Sequence, residues 1–234
     1  MAQQMRLVRG LTGGQYKPQQ AYLHPTVLDA PNVPTTFRHL PSHLDRDAQV
    51  ALLAEIRAVV QAAPLFTPLM PRTGKPFSVR MSNCGPLGWV SDKERGYRYQ
   101  ATHPDTGLPW PAMPERLLAL WRDVTGYPAP PEACLINFYN AGTKMGSHQD
   151  RDELDLAAPV LSVSLGDEAT FHVGGLARTD QKVRVRLASG DVLALEGESR
   201  LAFHGIDKVF PGTSLLLKDG GRINLTLRRV TKAG

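Results

Sequence analysis

The chain has only two cysteines, Cys84 and Cys134, among its 234 residues. That is too few for a disulfide framework, and their spacing does not suit a zinc cluster. Both read as small buried thiols. No apolar run approaches the roughly 18 residues that a membrane-spanning helix requires, which excludes a helical membrane protein. The opening stretch MAQQMRLVRGLTGGQYKPQQ holds no apolar core that could act as a secretory signal, so a cytoplasmic location is expected. No internal repeat and no low-complexity tract is present, which excludes a repeat array.

What is present fits a globular protein, with 42% hydrophobic and 21% charged residues. The length suits one substantial domain, or one domain with an appendage. The 21 glycines and 19 prolines favour short strands and turns over a helical bundle. A formal net charge of +5 fits a polyanionic partner such as nucleic acid without deciding for one.

Residues 1–24 are polar and aperiodic and read as a flexible extension. DAPNVPTTFRHLPSHL, broken by prolines, reads as an extended approach to the core. Residues 45–63 form the first predicted helix, with Val50, Leu53, Ile56 and Val60 as its apolar stripe and Pro64 after its end. A second runs from Pro114 to Gly126, with Leu117, Leu118, Trp121 and Val124 as its stripe. The segment between them, FSVRMSNCGPLGWVSDKERGYRYQATHPDTGLPWPAMP, suggests a hairpin and covering loops. From residue 133 the pattern changes to short strands: ACLINFYN, PVLSVSLG, ATFHVGG, KVRVRLAS, DVLALEG, LAFHGI and RINLTLRRV. Such a series predicts a sandwich or barrel. The expected organisation is one integrated unit over about 25–230, with helices and a covering region at 25–132 and the β core at 133–234.

The stretch MGSHQDRDELD concentrates chemistry. Residues two apart in an extended segment point the same way, so His148 and Asp150 would present an imidazole and a carboxylate together. His204 would complete a set of two histidines and one carboxylate, which suits Fe(II) and leaves positions open. The competing reading is a solvated acidic loop and a histidine satisfied near a strand end. In RINLTLR, Arg222, Asn224, Thr226 and Arg228 share one face, and Ile223, Leu225 and Leu227 the other. Asn137 and Tyr139 likewise share a face. Either these faces lie in water, or they turn inward and form a pocket for a small dicarboxylate. The two arginine backbones would be roughly 20 Å apart, so their side chains would have to lean together.

NCGPLGW, WPAMP, CLINFYNAG, SHQDRDE, LSVSLG, FHVGGL, GDVLALEGESRLAFHGI and RINLTLR together resemble the AlkB family, over residues 45 to 230 or so. Its members are Fe(II)- and 2-oxoglutarate-dependent dioxygenases that oxidatively dealkylate nucleic-acid bases. The resemblance implies a mainly β fold with flanking helices: a double-stranded β-helix (jelly roll) core with an N-terminal nucleotide-recognition lid. It implies Fe(II) held by His148, Asp150 and His204, with O2 as the second substrate. It places 2-oxoglutarate against Asn137, Tyr139, Arg222, Asn224 and Arg228. Arg222, Tyr139 and Asn224 would take the distal carboxylate, while Arg228 and Asn137 would lie nearer the iron.

On the substrate side the family pattern matches Trp89 as a base-stacking residue opposite His148, and Asp152 as an acid beside a cationic base. Arg178 matches a further substrate-side position. Tyr97, Tyr99 and Met81 fall in the expected lid, to line the cleft or meet phosphate. Glu153 and Asp155 match nothing and are expected in solvent. Lys182, Arg184 and Arg186 read either as phosphate contacts or as a solvated outer face.

The implied function is demethylation of 1-methyladenine and 3-methylcytosine in single- or double-stranded DNA, giving formaldehyde, succinate and CO2. The implied enzyme acts as a monomer without membrane contact. Between Trp89 and Tyr97 there is one residue more than in the family pattern, and LMPRTGKPFSVRM departs from it. Alkylated RNA or protein therefore remains an alternative substrate. A non-catalytic metal-binding nucleic-acid module is the alternative of a different class.

Overall fold

The computed structural model describes residues 37–232, so the flexible extension expected at 1–24 lies outside the described residues. The chain runs through β1 (Arg38–Leu40), α1 (Arg46–Ala62), β2 (Arg80–Cys84), β3 (Gly88–Asp92), β4 (Gly96–Gln100) and α2 (Glu115–Thr125). There follow β5 (Ala133–Tyr139), β6 (Met145–His148), β7 (Val160–Gly166), β8 (Glu168–Val173), β9 (Val183–Leu187) and β10 (Val192–Leu195). A 3-10 turn (Gly197–Leu201) then leads to β11 (His204–Phe210) and β12 (Arg222–Arg228).

Six strands form a large sheet in the order β1-β10-β7-β12-β5-β2, four form a smaller one in the order β6-β11-β8-β9, and β3 and β4 make a separate hairpin. All the pairings are antiparallel. One apolar cluster joins the inner faces of both sheets, with Leu135, Val160 and Leu195 from the large sheet against Phe171, Leu187 and Ile206 from the small one. This is the jelly-roll core. The outer face of the large sheet, through Ile136, Leu161, Val163, Leu225 and Leu227, packs on α1 and α2. The large sheet is thus covered on both sides, which explains why its strands carry so many β-branched and aliphatic residues. The covering region supplies both sheet edges through β1 and β2.

Asp45 caps α1 by accepting a hydrogen bond from the Ala48 amide at 2.8 Å. The α1 stripe is rotated from its expected position: Gln49, Leu52, Leu53, Ile56 and Val59 are buried, whereas Val50 is 50% exposed. The cause is a polar anchor, since Gln49 donates to the Leu44 carbonyl at 2.8 Å and accepts from Ser189 at 2.7 Å. In α2, Leu120 rather than Leu118 joins Leu117, Trp121 and Val124 inside, and Gly126 closes the helix at φ 61°. LAFHGI is only partly strand, because Leu201 ends the 3-10 turn and the strand starts at His204.

Leu225 is fully buried between β12 and the helices. Leu225→Ala should destabilise the protein by about 2–5 kcal/mol, read as a lower urea midpoint at unchanged slope.

Candidate metal centre

His148, Asp150 and His204 converge, with ligand atoms that all lie within 4.8 Å of one another. The register of β6 against β11 sets His148 opposite His204. Gly205 permits this close pairing: a Cβ there would lie 2.5 Å from the Met145 carbonyl oxygen. Asp150 lies two residues beyond the end of β6, so its convergence with His148 comes from the loop path rather than from strand alternation. The imidazole Nε2 atoms stand 3.6 Å and 3.7 Å from the Asp150 carboxylate, too far for hydrogen bonds.

Each histidine Nδ1 lies 2.9 Å from a backbone carbonyl, Gly146 for His148 and Ala202 for His204. These contacts orient both rings with Nε2 towards the centre, the usual arrangement around a metal ligand. Burial, with His148 alongside, pushes His204 down to about 4; its imidazole is therefore neutral at neutral pH, as coordination requires. Burial acts to raise the Asp150 carboxyl, but the Arg228 guanidinium, both imidazoles and Arg200 override it and hold the group well below the usual carboxylate range. Arg228 Nη2 lies 2.8 Å from Asp150 Oδ1. The other oxygen, Oδ2, is buried without a hydrogen-bond partner. An ionised, half-satisfied carboxylate between two imidazoles fits a divalent cation such as Fe(II).

The polar face of β12 turns inward. β12 lies between β5 and β7, its apolar face is taken by the helices, and the other lines a cavity of about 580 Å³ with its mouth included. Asn137, Tyr139, Arg222, Asn224 and Arg228 all line it, together with the three metal-site residues. The reading of RINLTLR as a face in water is therefore wrong. Register places Arg222 beside Tyr139 and Gly166, and Asn224 beside Asn137 and Ser164.

Arg222 is only 1% exposed. Its Nη2 donates to Ser164 Oγ at 3.1 Å, while Nε and Nη1 have no partner. Burial pushes its guanidinium down to about 10, which still leaves a cation at neutral pH. A buried, half-bonded cation costs several kcal/mol unless an anion joins it, so the donor set fits the carboxylate of 2-oxoglutarate. Asn137 Oδ1 is also buried without a partner. Asn224 is engaged within the sheet, donating to Ser162 Oγ at 2.6 Å and accepting from Thr226 at 3.0 Å. Ser162 and Ser164 had a visible signal, since they alternate with aliphatic residues in LSVSLG as the polar residues of β12 do.

Among the expected substrate-side residues, Trp89 is largely buried in the β3–β4 hairpin and stacks on Tyr97 at 5.4 Å and 24°. Its indole donates to Asp152 Oδ2 at 2.9 Å. Tyr97 is 50% exposed. Arg178 donates to the Ser147 carbonyl at 2.5 Å, which puts it beside the strand of His148. Three expectations need correction. Met81 is no lid residue: it belongs to β2, is 1% exposed and packs in the core opposite Asn137. The Tyr99 hydroxyl is turned inward to Glu153 and Arg228, not outward to phosphate. Glu153 and Asp155 are buried rather than solvated, because Tyr99, Arg200 and Arg228 surround the first and the Tyr127 hydroxyl meets the second at 2.9 Å. Arg184 and Arg186 are outer-face residues of the small sheet, paired with Asp207 and Glu168 at 2.9 Å and 2.6 Å.

The family profile described as 2OG-Fe(II) oxygenase superfamily matches residues 36–228. The chain is 53% identical over 193 residues to an alpha-ketoglutarate-dependent dioxygenase AlkB homolog of Caulobacter vibrioides, spanning 82% of this chain and 87% of that protein. It is 44% identical over 190 residues to the alpha-ketoglutarate-dependent dioxygenase AlkB of Escherichia coli, spanning 80% and 87%. The solved structure of OsALKBH1 superposes with a TM-score of 0.72 at 32% identity, covering 82% of this chain and 96% of that one.

Because the side-chain hydrogen bond of Arg222 goes to Ser164 and not to a metal-site residue, Arg222→Met should raise KM for 2-oxoglutarate by about tenfold or more while Fe(II) affinity stays within about twofold of the parent. Steady-state kinetics and a metal titration read the two separately.

Proposed function

The chain belongs to the AlkB family of the 2OG-Fe(II) oxygenase superfamily, and from that premise we propose that it repairs nucleic acid by demethylating N-alkylated bases. The enzyme is a dioxygenase that uses Fe(II), 2-oxoglutarate and O2. The proposed substrates are 1-methyladenine and 3-methylcytosine in single- or double-stranded DNA, with RNA as a further substrate. The observation that carries this reading is one cavity holding both the His-Asp-His cluster and the half-bonded Arg222 guanidinium.

In the proposal, iron and the keto acid supply the oxidising chemistry: O2 and 2-oxoglutarate become succinate and CO2, and the N-methyl group leaves as formaldehyde. The protein positions and shields. His148, Asp150 and His204 hold the metal through Nε2, a carboxylate oxygen and Nε2. Arg222 with Tyr139 and Asn224 receives the distal carboxylate, while Asn137 and Arg228 line the metal end. The apolar walls, among them Leu187, Leu195 and Phe171, keep bulk water from the reacting centre.

A base can reach such a site only when unstacked. Trp89 with Tyr97 gives the hairpin an aromatic surface, and stacking of a base on such a surface contributes about 1–3 kcal/mol. Asp152, held by the Trp89 indole, offers a carboxylate to the positive charge of a methylated ring. Arg178 is proposed on the same side. No helix among the described residues is long and apolar enough to cross a membrane, and a cytoplasmic monomer completes the reading.

Incubation of the Fe(II)-loaded protein with 2-oxoglutarate, O2 and methylated single- or double-stranded oligonucleotides should remove one methyl mass per lesion and form succinate. His148→Ala should abolish this; residual turnover in that variant would refute the metal assignment. Succinate release without any loss of methyl mass from DNA or RNA would leave the dioxygenase and remove the proposed substrate. Asp152→Ala should reduce turnover of cationic lesions by about tenfold or more relative to neutral ones, read by competition between two oligonucleotides. Equal losses on both would contradict its role.

A further inference from the structure

Behind the metal-site carboxylate lies a second layer of charge that the chemistry above does not use. Glu153 is buried, with its side chain 0% exposed. Its carboxylate accepts from the Tyr99 hydroxyl, from Arg200 Nη2 at 3.0 Å, and faces Arg228 Nη1 at 3.4 Å. All three nitrogens of Arg200 are engaged. It donates from Nε to the Ala158 carbonyl at 2.7 Å and from Nη1 to the Asp150 carbonyl at 2.6 Å, besides its bond to Glu153. One rigid guanidinium therefore fixes the backbone of Asp150 and the side chain three residues further on.

Arg228 completes the circuit, with Nη2 on Asp150 Oδ1 at 2.8 Å and Nη1 on the Tyr99 hydroxyl at 3.1 Å. Tyr99 belongs to β4, and its cross-strand partner is Trp89, which holds Asp152. The hairpin thus grips the metal-site loop at two side chains, Asp152 and Glu153.

We propose that Glu153, clamped by Arg200, is a positioning residue that couples the β3–β4 hairpin to the metal carboxylate, so that docking of the hairpin sets metal affinity. The path runs from the Tyr99 hydroxyl through Glu153 and Arg228 to Asp150. Asp150 has only one oxygen committed to the protein, and its rotation about that bond decides where the other points. With Glu153 neutralised, Arg228 Nη1 loses the facing charge and keeps the Tyr99 hydroxyl as its hydrogen-bond partner, so its hold on Asp150 loosens. Coupling is reciprocal: if the hairpin strengthens metal binding, metal must stabilise the hairpin.

The inference rests on the metal-centre reading, and its test separates the two. Full-length chain stripped of metal is titrated with Mn(II) by calorimetry, well below its Tm, for the parent, Tyr99→Phe, Glu153→Gln and the double variant. Glu153→Gln should weaken Mn(II) by about 10–100-fold, the range for lost partners of metal ligands. Tyr99→Phe should weaken it by about threefold or more, and the double variant should be no weaker than Glu153→Gln alone. Hydrogen exchange of the β3–β4 amides should slow on adding Mn(II) in the parent and not in Glu153→Gln.

If Glu153→Gln fails to fold, Tyr99→Phe, which deletes a single oxygen, decides by itself. A Kd within twofold of the parent in folded Tyr99→Phe overturns the proposal, as does a double variant whose loss is the product of the single losses. A parent chain that binds no Mn(II) overturns the metal centre itself.

Discussion

Arg228 and Asp150 form an ion pair sealed between two sheets, 2.8 Å apart and almost without solvent. Removing two ions from water costs several kcal/mol each, and such a pair is tolerated only where further polar partners complete it. Here the completion is a buried group of two carboxylates and two guanidiniums, Asp150 and Glu153 with Arg200 and Arg228. That group balances its own charge. Arg222 lies outside it and, among the described residues, has no acidic partner within hydrogen-bonding reach, its bond going to Ser164. The fold therefore carries one buried positive charge that a bound dicarboxylate must offset, and one carboxylate oxygen that a cation must satisfy.

Both deficits face one cavity, Arg222 from the inner face of the large sheet and Asp150 from the loop after β6. β12 presents Ile223, Leu225 and Leu227 to the helices and Arg222, Asn224, Thr226 and Arg228 to the cavity. A slip of one residue would send the arginines into the helix interface, so register and function are the same constraint. Hydrogen bonds to β5 and β7 on either side hold that register along the whole strand. Packing beside β12 is tight at Gly166: at φ 88° opposite Arg222, a Cβ would lie 2.5 Å from the Gly221 carbonyl oxygen, and only glycine accepts both demands.

The strands from β5 onward were legible because alternation is a local property, and the match of SHQDRDE and RINLTLR to one family supplied the site residues. What stayed hidden depended on partners far away in the chain. Glu153 and Asp155 look like any acidic loop, because the groups that bury them, Tyr99, Arg200 and Tyr127, lie 54, 47 and 28 positions away. Met81 was misplaced for a similar reason. Its neighbourhood is rich in loop residues, yet pairing with β5 draws it into the large sheet. The rotated stripe of α1 shows the converse, where a polar residue, Gln49, takes a buried position because a local bond to Leu44 and a distant one from Ser189 satisfy it.

These two kinds of information have different physical standing. Alternation states which face is apolar, but not whether the other face meets water; only the second sheet decides that. Once the smaller sheet closes over β12, every polar group on the inner face must find a partner or a ligand. Ser162 accepts from Asn224, Thr226 donates to Asn224 and Ser164 accepts from Arg222, which leaves a short remainder: Asn137 Oδ1, Asp150 Oδ2, and nitrogens of Arg222 and Arg228. That remainder lies in a single cavity beside the imidazoles of His148 and His204. A stability argument for the sheet would have placed leucines there. Their replacement by unpaired donors and acceptors makes sense only for a chain that reaches its balanced state with a metal and a dicarboxylate bound.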